Sequence, residues 1–423
     1  MKKRVNKKCR RGEVVGPETD LLHRDFDSRR SEGSFSVPLF TTSTFVFPSA
    51  EYGKMAFKAV LNGDHNHFLI YRRLEHPNSQ ILQNRISKYE PGGGSAAAFT
   101  TGMAAIHTTI SALLKLGQEI IVSHTVYGGT YCLLKEYFIK HGVAVKFVDT
   151  TDLTATAKVI KKSGKNLGIV FMESPANPSM RFTDIATVAK LAKHANPNCV
   201  VVVDNTFMGI FQHPFKVSQD IDLVVYSATK FLGGHSNLTG GIVIARQGRS
   251  NLMKAIKGLR IVFGNIIDPF SAHQLLTQID TYDLRMQDLA RRATKIANYL
   301  SKHPKVIEVR HPSLLKPSEL DYPIFQSQCS GPGSVISFWL RKVNTKTAFQ
   351  FENAATKSGV ISLAVSLGCV ETLMTHPSTT THSEMSHKDQ VLSDITPNLI
   401  RISVGRENPE DIINALEQGF QAI

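Results

Sequence analysis

The fold is most visible in residues 222–236, DLVVYSATKFLGGHS, where an apolar run ends on two hydroxyl residues and a lysine. Four apolar residues without alternation are typical of a strand buried on both faces, as in a parallel sheet. Burial at the end of such a strand would lower the pKa of the Lys230 amine and free it to attack an aldehyde, while Ser227 and Thr229 offer hydroxyl groups to a phosphate. An exposed lysine in a strand-end turn is the alternative interpretation.

Similar apolar runs recur before and after this segment, each bounded by turn residues. They are EIIVSH (119–124), GIVFMES (168–174), VVVVDNTF (200–207) and GGIVIAR (240–246). Helical patterns lie between them at residues 102–117 and 183–195, and the second opens with Thr183, a residue suited to capping a helix. This alternation predicts an α/β fold with an open, mostly parallel sheet and helices on both faces.

The composition changes at about residue 266, after which helical patterns are followed by several mixed strands. Residues 289–303 are typical of a helix, and GSVISFWLR (333–341) and LIRISVG (399–405) are typical of strands. The pattern predicts a second, smaller α+β domain. We therefore expect an N-terminal extension (1–65), an α/β domain (66–265) and a C-terminal α+β domain (266–423), a division that a chain of 423 residues can accommodate.

Chemically unusual residues follow the predicted strands, at the edge of the sheet where ligands of open α/β folds bind. Asp204 ends one apolar run, Tyr127 follows another, and Asn177 lies in the loop after a third. Gly102 opens the helix at residues 102–117. Taken singly, a capping aspartate, a packing tyrosine, a turn asparagine and a glycine-rich turn are all reasonable alternatives.

Together these residues supply what pyridoxal 5′-phosphate (PLP) requires of a protein. Lys230 offers a covalent anchor, and an ionised Asp204 would keep the ring nitrogen protonated so that the ring accepts electrons. Tyr127 offers a stacking face, and the free amides at the helix start near Gly102 suit a phosphate. The sequence therefore predicts a PLP site.

The charge, cysteine and hydropathy patterns disfavour several other classes of protein. Seven of the first eleven residues are Lys or Arg, which is half of the net charge of +14, and no aromatic residues are interleaved among them, so nucleic-acid binding is disfavoured. The five cysteines are scattered without a CxxC pair, which argues against a disulfide framework or a zinc site. With no apolar segment long enough for a bilayer and no secretory signal, we expect a cytoplasmic protein that does not enter the membrane.

Residues 35–423 resemble the Cys/Met-metabolism (trans-sulfuration) family of PLP-dependent enzymes, with SATKFLGGHS (227–236) as the most specific signature. The family includes cystathionine γ-synthase, cystathionine γ-lyase, methionine γ-lyase and the O-acylhomoserine sulfhydrylases. The resemblance implies the aspartate-aminotransferase-like fold (fold type I), with PLP bound in the large domain. It also implies a homo-oligomer, usually a dimer of dimers, with residues 1–65 contributing an inter-subunit segment.

The resemblance also assigns roles to individual residues. It implies that Lys230 binds the cofactor aldehyde, Asp204 faces the ring nitrogen, Tyr127 stacks on the ring and assists proton transfer, and Asn177 contacts the phenolic oxygen. The residues implied for the phosphate are Gly102, Met103, Ser227 and Thr229, with Tyr71 and Arg73 supplied by the neighbouring subunit.

The substrate side of the implied site comes from the C-terminal domain. Arg401 would bind the substrate carboxylate as a planar bidentate donor, with Ser366 contributing its backbone or hydroxyl group. His376 and His382 could suggest a metal pair, but the family has similar histidines and no metal, so we expect them to be structural.

The resemblance is closest to methionine γ-lyase in TFVFPSAEYG (44–53) and MESPANPSM (172–180), and Val365 stands where cystathionine-processing members often have glutamate. Gly129 stands where methionine γ-lyases typically carry cysteine. Further departures are Arg260 and Ile261, in place of a Lys-Asp pair, and His76 and Asn78, within the usual Asn-Pro-Thr.

We therefore predict γ-elimination on a methionine-like sulfur amino acid, which would give 2-oxobutanoate, ammonia and a thiol. Cystathionine γ-synthase or γ-lyase activity is the first alternative, and γ-replacement by an O-acylhomoserine sulfhydrylase is the second. A PLP-binding protein without catalysis and a nucleic-acid-binding protein are alternatives of a different class.

Overall fold

The structure, a computed structural model, describes residues 26–61, 63 and 68–423. The basic segment at residues 1–11, including Cys9, lies outside the described residues. The strands are β1 (Gly93–Phe99), β2 (Glu119–Ser123), β3 (Ala144–Val148), β4 (Leu167–Glu173), β5 (Val200–Asp204), β6 (Leu223–Ser227), β7 (Gly241–Arg246), β8 (Val306–Arg310), β9 (Val335–Leu340), β10 (Ile361–Leu363), β11 (Thr372–Thr375) and β12 (Leu399–Ser403).

Helices cover both sheets. The α-helices are Ala50–Leu61, Pro77–Tyr89, Gly102–Leu113, Gly128–Cys132, Leu153–Ser163, Ile185–Ala195, Pro214–Val217, Ser250–Phe263, Pro269–Ile279, Tyr282–Leu300, Asp321–Gln328, Thr345–Ala355, His387–Leu392 and Pro409–Gln421. A π-helix spans Leu133–Phe138, and short 3₁₀ turns lie at Ser28–Arg30, Ile139–His141, Gly164–Asn166, Gly209–Phe211, Pro312–Leu314 and Pro377–Thr379. No helix in this part of the chain has the length and apolar character needed to span a lipid bilayer.

The large sheet has the strand order β1-β7-β6-β5-β4-β2-β3. Neighbours from β6 to β3 run parallel, and β7 is antiparallel to both of its neighbours. Every residue of β4 and of β5 is buried, and alternate valines of β5 enter different core clusters, Val201 and Val203 in one, Val200 and Val202 in the other. The predicted mostly parallel sheet with both faces covered is therefore confirmed.

The small sheet has the order β10-β11-β12-β9-β8 and is antiparallel except between β10 and β11. A separate core cluster packs its strands against the helices Tyr282–Leu300, Thr345–Ala355 and Pro409–Gln421. The predicted smaller domain of mixed strands and helices is thus confirmed as a class, while the boundaries at residues 65 and 265 stay predictions.

One local prediction is wrong. Thr183 does not cap the helix Ile185–Ala195, because Asp184 takes that position and accepts a hydrogen bond from the Thr187 amide. Thr183 is buried instead, and its hydroxyl group bonds the hydroxyl group of Thr150 at 2.5 Å. A carboxylate one residue later is the better acceptor for the free amides of the first turn.

A buried ion pair joins the helix Ser250–Phe263 to the edge of the large sheet. The fully buried guanidinium group of Arg260 donates to Glu75 Oε2 at 3.0 Å and to the Ala98 carbonyl oxygen of β1 at 2.9 Å. Burial alone would raise the pKa of Glu75, but Arg260 and Lys257, with hydrogen bonds from Gln83 and Ser79, lower it to about 2. Arg260 therefore fixes the segment that carries Glu75 against β1.

Replacing Arg260 by methionine should lower the free energy of unfolding by about 3 kcal/mol, because it leaves a carboxylate buried without its main partner. Urea denaturation at neutral pH would measure the loss. The difference from wild type should shrink as the pH falls from 4.5 towards 2, where Glu75 becomes protonated and no longer needs a cation. The matched control is Lys140→Met, which breaks the solvent-exposed pair with Glu136 and should change little. Equal effects of the two substitutions would contradict the assigned role of Arg260.

Candidate active site

A chain of hydrogen bonds joins the two sheets at the carboxyl edge of the large one. Lys230 Nζ donates to Ser366 Oγ at 2.8 Å. Arg401 in β12 donates from one terminal nitrogen to the Ser366 carbonyl oxygen at 2.8 Å and from the other to Asn177 Oδ1 at 2.9 Å. Four residues predicted to share a site from distant parts of the sequence are therefore in contact.

Ser366 is held in a conformation that few side-chain-bearing residues adopt. Its φ angle is 112°, in the region that favours glycine. Such a backbone costs on the order of 1–3 kcal/mol and persists only where surrounding contacts enforce it. Here the Arg401 guanidinium group and the Lys230 amine hold both ends of the residue, so the strain lies at the junction of the two sheets.

Lys230 is mostly removed from solvent. Burial, and secondarily the nearby charge of Arg401, lower the pKa of its amine to about 8. A neutral amine is therefore accessible near physiological pH, as nucleophilic attack on an aldehyde requires. Lys230 does lie in the turn after β6, as the alternative interpretation has it, but its side chain is not exposed.

Asp204, the last residue of β5, is buried beside the site. Its Oδ1 atom accepts hydrogen bonds from the Thr206 amide at 3.0 Å and from the Thr206 hydroxyl group at 2.6 Å. Burial raises the pKa of this carboxyl group to about 6, against the opposing effect of the Thr206 bonds. The group is thus ionised at neutral pH and would favour a cation placed next to it.

Glu173 is a buried acid that the sequence reasoning missed. It ends β4 and lies opposite Asp204 in the register of β4 and β5. Its carboxyl oxygens accept from the backbone amide of Tyr127 at 2.9 Å and from that of Asn177 at 3.1 Å. Burial and the nearby Asp204 raise its pKa well above the usual value. The available signal was an acid closing the apolar run GIVFME.

At two glycines a side chain would collide with neighbouring atoms. A Cβ atom at Gly102 would lie 2.9 Å from Ser227 Cβ, and one at Gly129 would lie 2.6 Å from Tyr127 Cε1. Both distances are shorter than real Cβ atoms show. Gly102 therefore lets the start of its helix approach β6, and Gly129 leaves space for the Tyr127 ring.

The helix that begins at Gly102 presents two amides to this edge of the sheet. Thr101 caps the helix, with its hydroxyl group accepting from the Ala104 amide at 3.0 Å and its carbonyl oxygen from that of Ala105 at 3.1 Å. Among the described residues, the amides of Gly102 and Met103 have no hydrogen-bond acceptor. Such a helix start is suited to a phosphate. The Thr229 hydroxyl group accepts from the Gly240 amide at 3.0 Å.

Tyr71 and Arg73 are not brought to this site within one chain. Tyr71 is exposed and bridges to Thr44, and Arg73 donates to the Ile261 carbonyl oxygen at 2.8 Å. No hydrogen bond from either residue to Ser227 or Gly102 occurs in the part of the chain that the structure describes. Their predicted role in a neighbouring subunit's site stays a prediction.

His376 and His382 have hydrogen-bond partners close in sequence, and the described cysteines form no disulfide. His376 bonds the Thr379 hydroxyl group and the Pro397 carbonyl oxygen, and His382 bonds the Thr381 hydroxyl group. Cys132, Cys199, Cys329 and Cys369 are free thiols. No cluster of three or more His, Cys, Asp or Glu side chains able to hold a metal ion occurs among the described residues.

The donor set fits PLP. A partly buried lysine with a lowered pKa, a buried carboxylate and two free helix-start amides are suited to an anchor, a charge for the ring nitrogen and a phosphate cradle. Arg401 Nε is buried without a hydrogen-bond partner among the described residues, although the guanidinium group bonds on its other nitrogens. A buried guanidinium group with an unused donor suits a carboxylate.

Comparisons with known proteins agree with this geometry. The chain is 37% identical over 393 residues to the L-methionine γ-lyase of Fusobacterium nucleatum subsp. nucleatum, covering 92% of this chain and 94% of the relative. It is 33% identical to cystathionine β-lyase MetC of Bacillus subtilis, covering 96% of each. The crystal structure of cystathionine γ-lyase from Lactobacillus plantarum complexed with L-serine matches with a TM-score of 0.84 and 33% identity, covering 97% of this chain and 99% of that one.

The family comparison extends over nearly the whole chain. Residues 18–421 match the family described as Cys/Met metabolism PLP-dependent enzyme. The solved neighbours are fold type I PLP enzymes, so the expected fold type and cofactor are both confirmed. The protein, with Lys230 and Asp204 at the edge of its large sheet and Arg401 in its small one, belongs to the Cys/Met metabolism family of PLP-dependent enzymes.

Proposed function

We propose that this protein removes the γ-substituent of a methionine-like sulfur amino acid with PLP bound through Lys230. The products would be 2-oxobutanoate, ammonia and a thiol. The observation that carries the proposal is the hydrogen-bonded chain Lys230–Ser366–Arg401–Asn177, which places a reactive amine near a buried guanidinium group suited to a carboxylate. When bound, the cofactor draws electrons away from the substrate Cα atom.

Each part of the cofactor has a proposed partner. Asp204, ionised at neutral pH, would face the ring nitrogen, Tyr127 would stack on the ring, and Asn177 would contact the phenolic oxygen. The proposed phosphate contacts are Gly102, Met103, Ser227 and Thr229, with Tyr71 and Arg73 of a neighbouring subunit.

The Lys230 amine would move the protons of the reaction. With a pKa of about 8 it would take a proton from the substrate Cα atom and later one from Cβ, and the electron pair left on Cβ would expel the γ-substituent. The hydrogen bond to Ser366 Oγ restricts where Nζ lies, which favours transfer along one direction. The Tyr127 hydroxyl group would assist proton transfer to the leaving group on Cγ.

Two observations support methionine-like specificity, one on a side chain next to Ser366 and one on the relatives of this chain. Val365, next to Ser366, is exposed and apolar, which suits a thioether better than a distal ammonium group. The relatives at 37% identity are L-methionine γ-lyases. Gly129, where methionine γ-lyases typically carry cysteine, keeps open the alternatives of cystathionine processing and γ-replacement. Arg260 is fully buried and bonds Glu75. Its departure from the family pattern therefore changes a contact in the protein interior.

The working form would be a cytoplasmic homo-oligomer, a dimer of dimers, with active sites shared between subunits. Phe35 and Val46 in the N-terminal region are 88% and 95% exposed, and Tyr71 is exposed nearby in sequence. Large apolar side chains left in contact with water favour burial against another chain. Residues 1–65 would then be the inter-subunit segment, ahead of the PLP-binding domain (66–265) and the C-terminal domain (266–423).

Substrate choice is tested by product analysis. Purified protein incubated with methionine should yield 2-oxobutanoate, ammonia and a volatile thiol, measured by chromatography and ammonia assay. Cystathionine, homocysteine and O-acylhomoserines with an added thiol are run in parallel. If an O-acylhomoserine with a thiol reacts at least tenfold faster than methionine is eliminated, the γ-replacement alternative takes the place of the proposal.

Covalent labelling tests the anchor. Borohydride treatment of the yellow protein should fix the cofactor to Lys230 and leave Lys257 unlabelled, as seen by peptide mass spectrometry. Lys257 is the matched control, because it is buried and its pKa is also about 8, yet its nearest charges are Glu75 and Arg260. Lys230→Ala should abolish elimination while the fold persists. A label on Lys257, or normal turnover by Lys230→Ala, would contradict the assignment.

Steady-state kinetics tests the carboxylate site. Arg401→Ala should raise KM for methionine by roughly 30-fold or more, because losing a buried charged partner costs on the order of 2–5 kcal/mol. The control is Arg406→Ala, three residues beyond the end of β12, where a largely exposed guanidinium group pairs with Asp288. KM should be unchanged there. An unchanged KM in Arg401→Ala would remove Arg401 from the substrate site.

A further inference from the structure

Glu173 lies at a buried position, where a carboxyl group costs folding free energy. It closes β4, whose seven residues are all buried, and the residue is 4% exposed. The free energy of burying a carboxyl group is recovered only if its oxygens find donors. A purely structural position in this strand could be filled by an apolar residue, as the preceding residues Phe171 and Met172 are. The acid therefore calls for a specific role.

The contacts of Glu173 reach two different loops. Oε2 accepts from the Tyr127 amide, in the loop after β2, at 2.9 Å. Oε1 accepts from the Asn177 amide, in the loop after β4 itself, at 3.1 Å. One carboxyl group thus ties together the backbones of the residue proposed to stack on the ring and the residue proposed to contact its phenolic oxygen.

We propose that Glu173 is a positioning residue that sets the spacing of Tyr127 and Asn177 and so fixes the orientation of the bound PLP ring. This inference rests on the proposed cofactor contacts of those two residues. It adds a residue that touches neither the cofactor nor the substrate, and that acts through the two amides it binds.

The charges around Glu173 support this role. Asp204 lies opposite it on β5, and burial together with that neighbour raises the pKa of Glu173, while Arg401 opposes the shift. Two buried carboxyl groups that face each other on neighbouring strands lose their protons in coupled steps that belong to the pair. The hydrogen bonds from the Tyr127 and Asn177 amides oppose the rise in the pKa of Glu173.

Glu173→Gln is the matched substitution, because it keeps the size of the side chain and presents one acceptor where two are needed. Its amide nitrogen would face a backbone N–H group, so either Tyr127 or Asn177 loses its bond. We expect PLP to bind about tenfold more weakly, in line with the loss of one buried hydrogen bond, and the visible circular dichroism of the bound cofactor to fall by about half.

The experiment uses holoenzyme purified with saturating PLP. Equilibrium dialysis gives the dissociation constant of PLP, and absorption and circular dichroism give the state of the bound ring. Glu352→Gln is the control, because Glu352 is also a buried glutamate with a raised pKa, in the helix Thr345–Ala355 away from these loops. Its PLP affinity and dichroism should equal those of wild type.

The outcomes separate the two proposals. Failure of wild type to bind PLP at Lys230 would overturn the proposed function, whereas normal binding and dichroism in Glu173→Gln would overturn only the positioning role. If Glu173→Gln does not fold, Glu173→Asp replaces it: the carboxyl group is then one methylene short and reaches at most one of the two amides. Several-fold weaker PLP binding in that variant supports the role, and unchanged binding overturns it.

Discussion

The hydrogen bonds of Arg401 are the contact on which the rest of the site depends. Arg401 belongs to the small sheet, yet it bonds Asn177, in the loop after strand β4 of the large sheet, and Ser366, whose hydroxyl group accepts from Lys230. Burial lowers the pKa of its guanidinium group to about 10, a value at which the group is still charged at neutral pH. Its fixed positive charge adds to burial in lowering the pKa of Lys230, and the same charge would suit the carboxylate of a substrate.

Much of the fold could be predicted because its central strands are buried on both faces. Unbroken runs such as VVVV in β5 have few other stable placements, and polar residues at their ends must then meet at one edge. The strand β1 was not predicted. Its sequence, GGSAAAF, consists mostly of glycine and alanine, which have low strand propensity, and pairing with β7 along most of its length overrides that preference.

Some residues of the candidate site could be predicted from the sequence, and others could not. Residues with distinctive chemistry, such as Lys230 and Asp204, stand out because a charge next to an apolar run is unusual. Glu173 does not stand out in the same way, since its partners are backbone amides of residues that lie 46 and 4 positions away. A hydrogen bond to the main chain leaves no trace in the identity of the partner residue, so only the three-dimensional arrangement reveals it.

The pairing of Arg260 with Glu75 carries a consequence for how this chain can change over time. The two side chains lie 185 positions apart and neutralise each other where water does not reach. A substitution at either position alone strands a charge in the interior, whereas a joint replacement by apolar residues of similar volume is tolerable. Descendants of this protein should therefore exchange both members of the pair together, and the two positions should be inherited as a unit.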